Sequence, residues 1–380
     1  MYHQPKRIEF LDSIRGVAAM FVLLFHSMMF QWPKGLMDFT RIPIVNIFFD
    51  GKAAVAMFFV LSGFVLSRPY LLPQNTPPRR IFLPTFYLRR LTRIWIPWFF
   101  VFCFSAVVIR YFFLDYETIP PYDRVELRHT WHLPLNLAIV LRQMALINLP
   151  VLDNFPYLVP QDWSLGVELK ASLLIPLFVF CARGKRAASL FFIAVLSMFV
   201  ASHGYYVSFV LGVALARYCD QIAAKVSTFP RYVIWIAFFL GIFLYQSRHI
   251  AIELLRLPES TSGYCWCLSS VGCVIILIVI LSSAGMQNIL QHRSFLFLGR
   301  ISYSIYLLHI LVLICVQPLI VYALNSMGLT QAVILLPVSL GANIFITITL
   351  AALTHRFVEV PAIDFGHWLT VLIQKKFQKK

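Results

Sequence analysis

Charge is scarce in this sequence. Only 13% of its 380 residues are Asp, Glu, Lys or Arg, about half the share usual in a soluble domain. Acidic residues are scarcest, 16 against 32 basic ones. Such a chain has too little charge to clothe a soluble surface. Cysteine is sparse as well. Most of the seven lie inside apolar segments, and Cys265 and Cys267 are the only close pair. That pattern gives no disulfide framework and no metal-ligand spacing. No internal repeat is visible, which weighs against transporters built from inverted repeats. Strands of short alternating period are missing too, so a membrane β-barrel is excluded.

What remains is apolar length. Hydrophobic residues make up 60% of the chain, in unbroken stretches of about twenty residues, the span of a bilayer. The fold class is therefore an all-α integral membrane protein, a bundle of about ten transmembrane helices. The candidate spans are 12–30, 48–67, 94–113, 163–182, 187–203, 205–219, 231–247, 264–284, 301–322 and 331–354. An even count puts both termini on one side. With the N-terminus inside, 22 of the 32 Lys and Arg fall on the cytoplasmic side, so both termini are read as cytoplasmic. The first helix is too long and too polar at its start for a cleaved signal peptide, and is read as an anchor. Residues 1–362 form the membrane domain and 363–380 a basic tail, whose KKFQKK would meet anionic lipid. A formal charge of +16 would suggest nucleic acid in a soluble chain. Here it reflects basic cytoplasmic loops, so membrane lipids are expected as partners and nucleic acid is not. Two connections are long. Residues 68–93 are rich in Pro and Arg, and 114–162 carry Trp131 and His132. Within the second, Pro134 to Ile147 suits a re-entrant or interfacial helix.

Against this apolar background, polar residues inside spans stand out. In RIEFLDSIRGVAAMFVLLFHS, ten residues separate Arg15 from His26. Eleven helical steps are three turns plus about 20°, so both share one face, about 16 Å apart along the axis. Ionisable groups at this depth cost about 3 kcal/mol each and turn inward. The same pattern would arise from an arginine snorkelling beside Asp12 and a structural histidine. In QDWSLGVELKASLLIP, Glu168 needs a partner, and Lys170, Arg15 and His26 are candidates. Ser164 stands one turn away, within reach of a hydrogen bond. PPRRIFLPTFYLRRLTRIWIPW gathers Arg89, Arg90 and Arg93, with Arg90 and Arg93 on one face. Three guanidiniums suit a polyphosphorylated donor, and equally suit lipid headgroups. LGRISYSIYLLHI presents Tyr303, Tyr306 and His309, a face that must also find partners. In RFVEVPA, Pro361 is read as ending the last span and Glu359 as the structural partner of an inner arginine.

These stretches together resemble the acyltransferase family 3 of membrane proteins. The matches are LDSIRGVAAMFVLLFHS with its Arg15–His26 spacing, FFVLSGFVLSRPY at 58–70, YLRRLTRIWIPW at 87–98, WSLGVE at 163–168, LGRISYSIYLLH at 298–309 and RFVEVPA at 356–362. They occur in family order. The resemblance implies an O-acyltransferase that moves an acyl group, usually acetyl from acetyl-CoA, to a hydroxyl of a surface or periplasmic glycan. Lipopolysaccharide, an exopolysaccharide and a lipid-linked sugar are the acceptors to consider, and a bacterial inner membrane is the implied location. Carried over, His26 matches the catalytic histidine and Arg15 its paired arginine. Arg90 and Arg93 match the Arg-x-x-Arg motif linked to the CoA donor. The chain lacks the esterase-like domain of the two-domain branch, which makes peptidoglycan a weaker acceptor.

The resulting expectation has Arg89, Arg90 and Arg93 binding the nucleotide, with Arg15 near where the pantetheine arm passes. His26 acts as general base, and Glu168 orients it or holds the acceptor. Trp163, Ser164, Tyr303 and His309 are the candidate substrate-binding residues. No metal is expected. An acetyl-enzyme on His26 is the rival mechanism. A membrane exporter of a phosphorylated or acylated small molecule is the second reading of the same basic mouth. A receptor or scaffold is the third, and the costly polar residues in spans argue against it.

Overall fold

A computed structural model of the chain describes residues 8–31, 42–71, 81–112, 137–144, 159–183, 189, 204–329 and 331–378. Among these residues there is no strand. The helices are α1 (Glu9–Gln31), α2 (Pro43–Asn46), α3 (Gly51–Ser67), α4 (Leu83–Phe112), α5 (Leu137–Met144), α6 (Asp162–Ala182) and α7 (Tyr205–Val226). They continue with α8 (Arg231–Tyr245), α9 (Ser262–Ser282), α10 (Ala284–Leu290), α11 (Arg293–Cys315), α12 (Gln317–Ser326), α13 (Ala332–Thr354) and α14 (Val360–Gln378). Eight helical segments among the described residues are long and apolar enough to cross a membrane, and α8 is a shorter apolar helix. The expected span at 187–203 lies outside the described residues, as do Trp131, His132, Lys6, Arg7, Arg79 and Arg80. Within the segment Pro134 to Ile147, expected to be a re-entrant or interfacial helix, the described residues Leu137–Met144 are helical and form α5.

The chain divides into two compact units. Unit 1 comprises 1–21, 40–87 and 167–300, and unit 2 comprises 22–39, 88–166 and 301–380. Helices α1, α4, α6 and α11 each begin in one unit and end in the other.

Unit 1 is built on close helix crossings. A Cβ on Gly63 of α3 would strike the Phe209 carbonyl of α7, and one on Gly212 of α7 would strike the Val60 carbonyl. Only glycine lets these backbones touch, as small residues do generally between membrane helices. Phe59 stacks on Phe209 at 4.8 Å, and Tyr205 meets Trp266 of α9 edge-on at 4.6 Å. Serines supply the polar joints: Ser208 and Ser270 are 2.7 Å apart, and Trp266 Nε1 donates to Ser208 at 2.9 Å. The Asp50 side chain caps α3 by accepting from the Ala53 amide at 2.9 Å.

Unit 2 is braced by polar contacts between helices. Tyr303 of α11 donates to the Ile94 carbonyl of α4 at 2.6 Å, and Trp95 Nε1 donates to the Met144 carbonyl of α5 at 2.9 Å. Two sequence expectations change here. Glu359 is almost wholly buried, but its partners are the Ser304 hydroxyl and His355 Nδ1, each at 3.0 Å, rather than an arginine. A π-helical turn over His355–Glu359 brings the His355 ring onto the carboxylate one turn later. Pro361 does not end the helical path. It follows on the π-helical turn over His355–Glu359, and the path continues through it into α14. The segment beyond residue 362 is accordingly helical to Gln378, with Thr370 fully buried.

Candidate functional site

In unit 2 the C-terminal part of α1 brings His26 to α11. His26 Nδ1 lies 3.2 Å from His309 Nε2, with the ring centroids 4.9 Å apart. His26 Nδ1 also faces its own helix carbonyl at Val22, at 2.9 Å. His309 is fully buried, and its Nδ1 lies 2.8 Å from the Tyr306 carbonyl. The Tyr306 hydroxyl is 2.6 Å from the Ser164 hydroxyl of α6. Gln161 Nε2, just before α6, donates to the Leu307 carbonyl at 2.6 Å. His26, half-buried, thus borders a closed polar network of Gln161, Ser164, Tyr306 and His309. Among the proposed substrate-binding residues, His309 and Ser164 belong to this network, and Trp163 is half-buried at its margin in sequence. The Tyr303 hydroxyl instead donates to the α4 backbone, at the Ile94 carbonyl.

In unit 1 the N-terminal part of α1 presents Arg15. Its guanidinium donates to the Ser62 hydroxyl of α3 at 3.2 Å, and Ser62 donates to Glu168 Oε1 of α6 at 3.1 Å. A buried serine therefore connects a cation and a carboxylate on two other helices. The connection suits the membrane, where each ionised group alone would be costly. The tight approach of α1 to α11 helps to place it. A Cβ on Gly16 would strike the backbone at Gly299, and one on Gly299 would strike Asp12. Of the three candidate partners of Glu168, Lys170, Arg15 and His26, the structure links Arg15 to it through Ser62, a serine that was not expected. Ser62 sits in the quoted FFVLSGFVLSRPY stretch, where nothing local set it apart from other serines of membrane helices.

The three arginines of α4 differ in exposure. Arg89 Nε and Nη2 both donate to Thr370 Oγ1 of α14 at 3.3 Å. Arg90 is buried, only 7% exposed, and Arg93 is half-buried. The helix α14 approaches α4 closely at Gly366, where a Cβ would strike the Thr92 hydroxyl. Arg89 is thus held by the neighbouring helix and Arg90 is buried, so the cluster is not a spray of exposed charge. Among the described residues, no three His, Cys, Asp or Glu side chains gather as metal ligands would.

Apolar spans carrying an enclosed histidine pair and a serine-bridged charge pair define a polytopic helical membrane protein with polar sites built into its helices. The model of an acyltransferase domain, that of acyltransferase family 3, matches residues 8–351. The chain belongs to this family and is a membrane acyltransferase. The match takes in both polar sets and the three α4 arginines, and stops short of RFVEVPA at 356–362. No curated protein and no solved structure matches the chain.

Proposed function

We propose that this acyltransferase moves an acyl group, acetyl in the simplest case, from a cytoplasmic acyl-CoA to a hydroxyl of a surface or periplasmic glycan. The observation that carries the reading is His26, a half-buried histidine on a membrane-spanning helix of a family acyltransferase. Its ring is held against a second buried histidine. A neutral imidazole is the side chain best suited to take a hydroxyl proton near neutral pH.

In this mechanism His26 removes the proton from the acceptor O–H. The oxygen attacks the thioester carbonyl carbon, the carbon–sulfur bond breaks, and the leaving thiolate recovers the proton from His26. The products are the O-acyl glycan and free CoA. Arg89, Arg90 and Arg93 bind the donor's phosphates, which charge-assisted guanidinium bonds favour. Arg15 and Glu168 serve as the polar residues of unit 1 that hold substrate, with Ser62 as their link. Both termini lie in the cytoplasm and the membrane is a bacterial inner membrane. Direct transfer needs donor and acceptor bound together, so initial-rate kinetics are sequential; an acetyl-histidine would give ping-pong kinetics.

The test supplies purified, lipid-reconstituted protein with radiolabelled acetyl-CoA and candidate glycans, lipid-linked sugars included. The reading expects thioester loss matched by base-labile ester on glycan. Flux of a solute across the membrane with acetyl-CoA left intact would establish the exporter reading instead.

A further inference from the structure

Proton positions on the two histidines follow from their neighbours. A backbone carbonyl can only accept a hydrogen bond. His309 Nδ1 lies 2.8 Å from the Tyr306 carbonyl, so Nδ1 carries the proton and Nε2 carries the lone pair. That lone pair faces His26 Nδ1 at 3.2 Å. His26 Nδ1 also lies 2.9 Å from the Val22 carbonyl. Both atoms facing His26 Nδ1 are acceptors. Its proton must therefore be on Nδ1, shared between them, and its lone pair on Nε2. One assignment satisfies these three contacts together, and it makes Nε2 the basic nitrogen of His26.

From this we propose that His309 is a positioning residue, which fixes the ring of His26 and supports its charged form. When His26 takes a proton at Nε2, the ring becomes cationic. The Nδ1–H bond to His309 Nε2 then becomes charge-assisted and strengthens. The role parallels that of the carboxylate that orients the base in hydrolase triads, here filled by a neutral ring that adds no ionised group at membrane depth. The surroundings are built for it. Ser164 holds the Tyr306 hydroxyl and Gln161 holds the Leu307 carbonyl, so the turn of α11 before His309 is tied to α6 at two consecutive residues. This assigns Ser164 and Gln161 to bracing His309. The inference rests on His26 being the base of the transfer reaction, but the proton arrangement is measurable without any reaction.

The experiment has two arms on the full-length protein in lipid nanodiscs. In the first, 15N-histidine NMR identifies the two rings by the signals lost in His26→Asn and His309→Gln. Both rings are expected as Nδ1–H tautomers; a proton on Nε2 of either ring overturns the proposal. In the second, His309→Leu and His309→Gln are compared with wild type at matched folded abundance. His309→Leu should lower kcat on the order of 10²-fold with KM nearly unchanged. His309→Gln, whose amide oxygen can accept at the place of Nε2, should recover most of the loss. An unchanged kcat in His309→Leu, or a Gln variant as poor as Leu, overturns it. Should His26→Ala retain full activity, the base assignment fails, while the NMR arm still reads the histidine pair.

Discussion

The two units treat polar groups inside a membrane protein in different ways. Unit 1 carries a cation and a carboxylate and reconciles them through one serine, Arg15 to Ser62 to Glu168. Unit 2 carries two histidines that can be neutral together, His26 and His309, supported by hydroxyl and amide groups. A charge pair is costly to break but does not need protons to move. A neutral histidine pair can accept a proton and return it. Under the proposed mechanism the pair that moves the proton, His26 and His309, lies in unit 2.

Breaking the charge pair is the strongest test of the first half of that comparison. Glu168→Ala should destabilise the folded protein by about 3 kcal/mol, the low end for removing one partner of a charge pair, because Glu168 is only half-buried. The loss is read as a lower melting temperature in detergent. Adding Arg15→Met to Glu168→Gln should recover much of the stability lost in Glu168→Gln alone. Additive losses in the double variant would show that the pair is not coupled. Arg89→Ala should raise KM for acyl-CoA about tenfold, a loss of one charge-assisted contact. Thr370→Val, which removes only the helix-to-helix bond to Arg89, should change KM much less. Equal effects would make Arg89 a strut and not a donor ligand. The smallest effect is expected at Tyr303. Tyr303→Phe should cost about 1 kcal/mol of stability for the lost bond to the Ile94 carbonyl, with kcat unchanged. A large fall in kcat would return Tyr303 to the substrate site.

The helix class, the long apolar segments that form the eight candidate spans and the two polar residues of α1 were legible in the sequence, because apolar length and rare ionisable groups are local signals; the expected count of ten was not reached among the described residues. Partners were not. His26 and His309 are 283 residues apart, and no periodicity on either helix says that they meet. Ser62 was unreadable for another reason. Serine is common in membrane helices and usually bonds its own backbone, as Ser67 does to the Gly63 carbonyl at 2.6 Å. Nothing local marks the serine that instead bridges two helices. Ser164 and Tyr303 had their roles drawn from motif membership. The structure gives Ser164 to the Tyr306 hydroxyl and Tyr303 to the helix backbone. Glu359 and Pro361 were misread because the π-helical turn at His355–Glu359 changes which side chains share a face.

The most direct test of the central claim is single-turnover acyl transfer by reconstituted wild type and His26→Ala, at equal folded amounts and saturating acyl-CoA. If His26 is the base, wild type forms the glycan ester and the variant is slower by about 10³-fold, within the range general-base catalysis supplies, while still binding the donor. Transfer by His26→Ala at the wild-type rate would contradict the account and leave the histidine pair a structural feature of unit 2.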